Sequence, residues 1–259
     1  METPAPEMPS GTELRVFETI DSTNAEALRV LGNGYRGPCW FMARRQNAGR
    51  GRQGRRWISE TGNLHASLLV PLNCAPEDVS QLSFVAALGV HDAVTAIIGA
   101  REESPGLALK WPNDVLLNGR KLAGILLETS SAAGRTNAAV IGVGLNLVHA
   151  PQIRGKPATS LAADNIKITP ERALACLADC FYQRIGEWEQ GKNFLKIRED
   201  WLSRAYGIGA KYMVNMNSEK MNGIFETIAL DGAFILRLAN GEAQRITSGE
   251  VRPVGGVIA

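Results

Sequence analysis

Between Gly49 and Trp57 the chain reads Gly-Arg-Gly-Arg-Gln-Gly-Arg-Arg-Trp, residue types that suit the binding of an anion. Glycines let a backbone come close to a ligand and take positive φ. Arginines offer planar forks that grip phosphate or carboxylate oxygens through paired hydrogen bonds. A tryptophan beside them can cover an aromatic base. The wider stretch 44–56 holds Arg44, Arg45, Arg50, Arg52, Arg55 and Arg56, with no lysine and no acid. A merely solvated loop mixes both signs of charge; the other reading is an RGG-like nucleic-acid patch. Residues 49–54 also fit G-x-G-x-x-G. A dinucleotide fingerprint must open a helix, and here Arg55-Arg56-Trp57-Ile58-Ser59 leads into another strand.

Two further clusters carry chemistry. Lys110-Trp111-Pro112-Asn113-Asp114 is followed by Asn118-Gly119-Arg120-Lys121-Leu122-Ala123-Gly124-Ile125-Leu126. Asn-Gly between apolar runs is a strong type I′ hairpin signal. The turn brings Lys121 back across from the Asn113-Asp114 corner, while Pro112 marks a strand edge or bulge. A lysine beside an acid is commonly a surface pair of little worth, but Lys121 leads an apolar strand and so projects from the core. The third cluster, Gly142-Val143-Gly144-Leu145-Asn146, is an apolar strand broken by glycines, which marks a close ligand approach or a bulge.

The elements that must position these clusters follow from periodicity. Alternation predicts a strand over 14–20, a short apolar run predicts one over 39–43, and further strands are read over 63–71 and, three in sequence, over 107–117, 120–128 and 138–148. Asp21-Ser22-Thr23-Asn24 is an N-cap cluster, with Thr23 and Glu26 spaced as a capping box for a helix over 24–31. Apolar residues at three- and four-residue spacing predict a long amphipathic helix over 79–98, and two more fit 170–190 and 192–205. Residues 1–12 read as a disordered tail. After Tyr206 the texture changes to short alternating segments (212–216, 223–230, 233–238, 243–247), the pattern of a small antiparallel barrel.

Composition excludes other classes. The chain has 259 residues, 45% hydrophobic and 21% charged, with 28 basic against 26 acidic side chains, which is ordinary for a globular protein. That balance argues against a polyanion-binding coat. No apolar run approaches the roughly 18–20 residues a bilayer span requires, and the acidic, proline-rich start is unlike a signal peptide. Cys39, Cys74, Cys176 and Cys180 form no CxxC pattern, and the three histidines are widely spaced, so reduced thiols and no zinc site are expected. A cytoplasmic location and no membrane partner follow as expectations.

Ser22-Thr23-Asn24, the 49–57 loop, Lys110-Trp111-Pro112-Asn113-Asp114, Lys121-Leu122-Ala123-Gly124-Ile125-Leu126 and Gly142-Val143-Gly144-Leu145-Asn146 together resemble, in order, the motifs of the biotin–protein ligases. These enzymes are also called biotin–[acetyl-CoA-carboxylase] ligases. Gly249-Glu250-Val251 is similar to the family's closing Gly-Asp-Val. The resemblance implies an α+β fold: a mixed sheet with helices, related to class II aminoacyl-tRNA synthetases, over 13–207, then an SH3-like β-barrel over 208–259. With about thirteen residues before the first strand, the form without an N-terminal DNA-binding repressor domain is expected.

The resemblance also implies the chemistry. Biotin's carboxylate attacks the α-phosphate of ATP, with Mg²⁺ accompanying ATP rather than bound directly by protein side chains. A lysine of a biotin carboxyl carrier protein then takes the biotinyl group from biotinyl-5′-AMP. By matching position, Ser22, Thr23, Asn24 and Gln46 would hold the ureido ring, with Arg50, Gly51, Arg52, Lys121 and Gly124 completing the biotin site. Arg52, Arg55, Trp57, Asn113, Lys121 and Asn146 would contact ATP or the adenylate, with Trp57 stacking on or walling the adenine. Lys121, Arg52, Arg50 and Asp114 are the expected catalytic set, and the 49–57 loop a lid. The expected partner is the carrier protein, not nucleic acid, with the ligase a monomer or homodimer. A lipoate–protein ligase of the same superfamily, or an arginine-loop nucleic-acid module, are the alternatives.

Overall fold

The computed structural model describes residues 6, 8–9, 11–99, 106–132, 135–153, 155–216 and 219–255. Most of the 1–12 tail therefore lies outside the described residues. Within it, the Thr12 N–H donates to the Pro9 carbonyl and Met8 packs against the core.

Seven strands form one mixed sheet: β1 (Glu13–Ile20), β2 (Cys39–Gln46), β3 (Leu64–Pro71), β4 (Leu107–Lys110), β5 (Asp114–Leu117), β6 (Arg120–Ala132) and β7 (Arg135–Leu145). Their spatial order is β1-β2-β3-β7-β6-β5-β4, with β1 and β2 parallel and every other pair antiparallel. Alternation assigns each strand two faces. Trp40, Leu64, Ala66, Ile125, Ile141 and Val143 point into the main core under helices α2 (Leu82–Ile98), α3 (Pro170–Trp188) and α4 (Phe194–Leu202). Phe41, Leu69, Ala138 and Val140 point to the other face, beneath helix α1 (Thr23–Gly32). Continuing the same parity along β7 and β6 brings Gly142, Gly144 and Gly124 onto the α1 face.

Local chemistry explains the helix ends. Thr169 accepts a hydrogen bond from the Arg172 N–H and Pro170 occupies the first turn of α3. A short 3₁₀ turn over Pro76–Gln81 leads into α2, so the helix predicted from residue 79 begins three positions later. By length and composition Pro76–Ile98 passes for a membrane span, yet most of it is buried against α3, α4 and the sheet. A Cβ at Gly89 would fall 2.6 Å from the Phe181 ring, so this glycine sets how closely α2 and α3 approach. All four cysteines are free thiols, with Cys176 and Cys180 half-buried on α3.

Two sequence expectations need correction. The strand drawn over 107–117 is two strands, β4 and β5, folded on each other about Trp111-Pro112-Asn113 with a cis Trp111–Pro112 bond. Pro112 therefore lies in a turn, not on a strand edge or bulge. The capping box also fails, because the helix N-cap is Ser22, whose Oγ faces the Ala25 N–H at 3.5 Å. Thr23 turns its hydroxyl elsewhere. The Asn118-Gly119 turn is as predicted, with φ of 51° and 70°.

After α4 come β8 (Lys211–Met216), β9 (Glu219–Ile228), β10 (Phe234–Arg237), β11 (Ala243–Ile246) and β12 (Glu250–Pro253), an antiparallel sheet in the order β11-β10-β9-β8-β12. Alternating segments predicted four of these strands; β12 lies outside every segment so predicted. This sheet shares the main core with the larger one. Phe225 and Phe234 stack at 4.1 Å, Trp111 lies 5.5 Å from Phe234, and the Trp111 indole N–H donates to the Gly232 carbonyl at 3.0 Å. Trp111→Ala is therefore expected to destabilise the whole chain by about 3–5 kcal/mol in urea denaturation. A loss below about 1 kcal/mol would show that the two sheets do not depend on this contact.

Candidate functional site

The floor of the site is built from what β6 and β7 lack. Gly124 and Gly144 are cross-strand partners, and Gly142 faces Leu126. A Cβ at Gly144 would lie 2.3 Å from the Trp57 indole, one at Gly124 3.0 Å from both Trp57 and Lys121 Nζ, and one at Gly142 2.2 Å from Asn24 Oδ1. The glycines let Trp57, Lys121 and Asn24 sit against the α1 face of the sheet, where they line a cavity of about 410 Å³. Every site residue expected from the sequence lines this cavity except Asn146.

At one end the first turn of α1 presents a neutral polar network. Gln46 Oε1, at the end of β2, accepts from the Thr23 N–H at 2.8 Å and faces the Thr23 hydroxyl at 3.2 Å. Its Nε2 donates to Ser59 Oγ at 2.9 Å. Asn24 Nδ2 donates to Glu128 Oε2 at 2.7 Å and faces the Leu126 carbonyl at 3.3 Å. Both partners are acceptors, which fixes the amide with Oδ1 toward Ser67. Ser67 Oγ lies 2.6 Å from both Asn24 Oδ1 and Thr23 Oγ1. A hydroxyl has one proton, and the Asn24 oxygen can only accept, so Ser67 donates to Asn24 and the Thr23 hydroxyl supplies its own proton to Ser67 or Gln46. Ser59, Ser67 and Glu128 were not singled out from the sequence. Ser67 left one signal there, a hydroxyl in the apolar run Leu64–Val70.

The arginine loop is a small closed structure. Arg50 and Arg56 form a β-bridge, the Trp57 N–H donates to the Gly49 carbonyl, and Arg52–Gly54 is a single 3₁₀ turn. No helix follows, which removes the dinucleotide-fingerprint reading. Gly49 is required by its surroundings, because a Cβ there would meet Ser59 Oγ at 2.6 Å and the Trp57 carbonyl at 2.8 Å.

The lack of acids within 44–56 does not leave its arginines uncompensated. Carboxylates from other elements answer several of them: Glu18 and Glu171 for Arg44, Glu128 for Arg50, and Glu250 of β12 for Arg55 at 3.2 Å. Arg52 differs. It is half-buried, with no carboxylate in ion-pair range among the described residues, and Nη1 makes only a long contact to Asn113 Oδ1 at 3.4 Å. Burial lowers its pKa, Asp114 acting in the opposite direction, and a guanidinium stays charged regardless.

Across the trough, Lys121 Nζ contacts Asp114 Oδ1 at 2.5 Å and sits 5.5 Å from the centre of the Trp57 ring. Asn113 is anchored by Nδ2 to the Ile125 carbonyl at 2.6 Å. Lys110, also on the wall, has its pKa lowered by burial, with Asp114 opposing the shift and Lys121 adding to it. In total the described lining carries seven cationic side chains against two carboxylates, Asp114 and Glu250. Such an imbalance around a partly buried trough favours bound anions. Among the described residues no group of three or more His, Cys, Asp or Glu side chains is placed to hold a metal ion.

Asn146 is set apart from the other expected residues, which line the cavity. Asn146 is 2% exposed and lies behind the wall, with Nδ2 donating to the Thr159 carbonyl and its own backbone bonded to Leu122 and Leu161. Trp57 lies on the glycine floor, its indole N–H buried without a protein partner.

This geometry can be set beside known proteins. The profile of the biotin/lipoate A/B protein ligase family matches residues 16–146, and that of the biotin protein ligase C terminal domain matches residues 213–252. The chain is 40% identical over 240 residues to the biotin–[acetyl-CoA-carboxylase] ligase of Paracoccus denitrificans, covering 89% of this chain and 96% of that one. The chain belongs to the biotin/lipoate A/B protein ligase family. A bifunctional ligase/repressor of Bacillus spizizenii is 30% identical over 250 residues, covering 93% of this chain and 74% of the relative. In fold, the chain is similar to the Aquifex aeolicus biotin protein ligase solved with biotin and ATP, with a TM-score of 0.76 at 24% identity, covering 93% and 99% of the two chains.

The glycine floor makes a direct prediction. Trp40, Trp111, Trp188 and Trp201 are all at most 4% exposed, so acrylamide quenching of tryptophan emission reports mainly Trp57. Gly144→Ala is expected to expel the indole and raise the quenching constant while the far-UV circular dichroism is retained. Unchanged quenching would show that Trp57 does not depend on that gap.

Proposed function

We infer that this chain is an ATP-dependent ligase that activates biotin as biotinyl-5′-AMP and transfers the biotinyl group to a lysine of a biotin carboxyl carrier protein. The observation that carries this reading is a trough with a neutral hydrogen-bonding end and a strongly cationic side, in a chain of this family. A ureido ring needs donors and acceptors without net charge, which the Ser22, Thr23, Asn24 and Gln46 end supplies. A carboxylate meeting a triphosphate needs fixed cations, which the loop and Lys121 supply. The match of 213–252 to the biotin protein ligase C terminal domain favours biotin over lipoate.

In the first step a biotin carboxylate oxygen attacks the α-phosphorus and the bond to pyrophosphate breaks. Lys121, paired with Asp114, and Arg52, beside Asn113, are suited to holding the carboxylate and the α-phosphate oxygens together. Asp114 orients the Lys121 ammonium, and Asn113 steadies Arg52. Arg50 and Arg55 anchor the loop while facing the anions, and Gly51 and Gly124 let the ligand approach the backbone. Trp57 walls the acyl and adenylate groups, and closure of 49–57 shields the mixed anhydride from water. In the second step the carrier lysine amine attacks the anhydride carbonyl and AMP leaves. Asn146 takes a supporting part in this scheme: its bond to Thr159 holds the segment that pairs with Lys121.

The two carboxylates on the lining are already held by cations, so the residues present do not make a dedicated metal site. Mg²⁺ belongs to the reading as a companion of the ATP phosphates, the usual manner for this ion. The reading takes residues 13–207 as the catalytic part and 208–259 as the C-terminal module. It makes the carrier protein the macromolecular partner of a cytoplasmic monomer or homodimer.

ATP–pyrophosphate exchange tests this directly. Biotin-dependent exchange is expected, and lipoate-dependent exchange without a response to biotin would overturn it. Lys121→Ala is expected to lower the exchange rate by about 10²-fold or more, with thermal unfolding little changed; full activity would remove Lys121 from its role. Arg52→Gly is expected to speed dissociation of biotinyl-5′-AMP, measured by release of labelled adenylate. Slower release would contradict closure.

A further inference from the structure

Glu128 lies on the same face of β6 as Gly124, opposite Val140 of β7, and just outside the cavity lining. Its carboxylate joins two parts of the site that are distant in sequence. Oε2 accepts from Asn24 Nδ2 at 2.7 Å, while Arg50 Nη2 lies 3.2 and 3.3 Å from Oε1 and Oε2. No other ion pair reaches Arg50 among the described residues. One carboxylate therefore ties the amide at the neutral end of the trough to the first arginine of the loop. It engages a single guanidinium nitrogen, which leaves Nε and Nη1 of Arg50 available to an incoming anion.

We propose that Glu128 is a positioning residue that seats the arginine loop over the trough before substrate arrives. The proposal rests on the reading of 49–57 as a lid. Ordering a loop on binding costs conformational entropy, and a loop already held in place binds more tightly for that reason. The contact is suited to this task because it is weak. Arg50 is 46% and Glu128 25% exposed in their side chains, so the pair orders the loop without locking it against ligand entry or product release. The charge matters separately from the hydrogen bond: a glutamine could still accept from Asn24 Nδ2 but could not hold the guanidinium by charge.

Glu128→Gln in the full chain separates the two contacts. In the substrate-free protein, hydrogen–deuterium exchange of backbone amides 47–57 is expected to rise about three- to five-fold, the size of an exposed charge pair. Exchange in 22–31 is expected to stay within twofold. Biotin with ATP should abolish the difference. The KM for biotin is expected to rise by the same factor, with a smaller change in kcat. In an Arg50→Gln background the substitution should add nothing. Unchanged exchange over 47–57, or an equal effect in the Arg50→Gln background, would overturn the proposal. Should Glu128→Gln fail to fold, Arg50→Gln alone must loosen 47–57 to the same extent, and a rigid loop there is equally fatal. Exchange in the empty protein reads the contact whatever the substrate. Absence of biotin-dependent pyrophosphate release by the unsubstituted protein would instead count against the ligase reading on which the lid rests.

Discussion

The site depends on a steric constraint: on one face of the two central strands, Gly124, Gly142 and Gly144 have no side chains to fill the space above the sheet. Any Cβ at these positions would meet Trp57, Lys121 or Asn24 at or below 3.0 Å. Leu126 and Val140, of the same parity, mark how the face is filled elsewhere. α1 covers the part of the face that has side chains, and its first turn reaches Gly142 through Asn24. The first turn of α1, Trp57 at the end of the arginine loop and Lys121 can then converge on one cavity because their side chains take the space that Cβ atoms would fill.

Charge is organised on the same principle of pairing between distant elements. The loop is entirely cationic, and a cluster of arginines without counter-charges would repel itself. Glu171 of α3, Glu128 of β6 and Glu250 of β12 each take one arginine. The Glu128 and Glu250 pairs position the loop more than they stabilise the fold, since exposed ion pairs contribute little net energy, while Glu171 holds Arg44 on β2. These pairs leave Arg52 half-buried and without a carboxylate partner among the described residues, which is why the proposed function sets it against the substrate anions.

The second sheet takes part in this arrangement. Trp111 sits at the turn that carries Asn113 and Asp114, buries its ring against Phe234 and donates its indole N–H to Gly232. Gly232 in turn packs so closely on α2 that a Cβ would meet Phe84 at 2.8 Å. The turn that bears the Asp114 carboxylate is thus braced from behind by β10, while β12 reaches forward to the loop through Glu250. The shared core makes the smaller sheet a structural support of the site.

Much of this was legible in the chain itself. Cap and turn chemistry located the Asn118-Gly119 hairpin and the start of α3, because those signals act within a few residues. Apolar runs placed the central strands for the same reason, and the motif residues marked most of the cavity lining, though not Pro151, Ile153 and 156–158. Other features were decided only by tertiary structure. Ser22 became the helix cap because the Thr23 hydroxyl is drawn to Gln46 and Ser67, from two other strands. The 107–117 stretch folded into a hairpin because Trp111 is buried against the second sheet, a partner more than a hundred residues away. Asn146, polar and next to a glycine motif, went behind the wall to satisfy a buried carbonyl. Local sequence sets what each segment can form and which residues carry the chemistry; which acid answers which arginine, and which side chains share one trough, is set by long-range packing and charge.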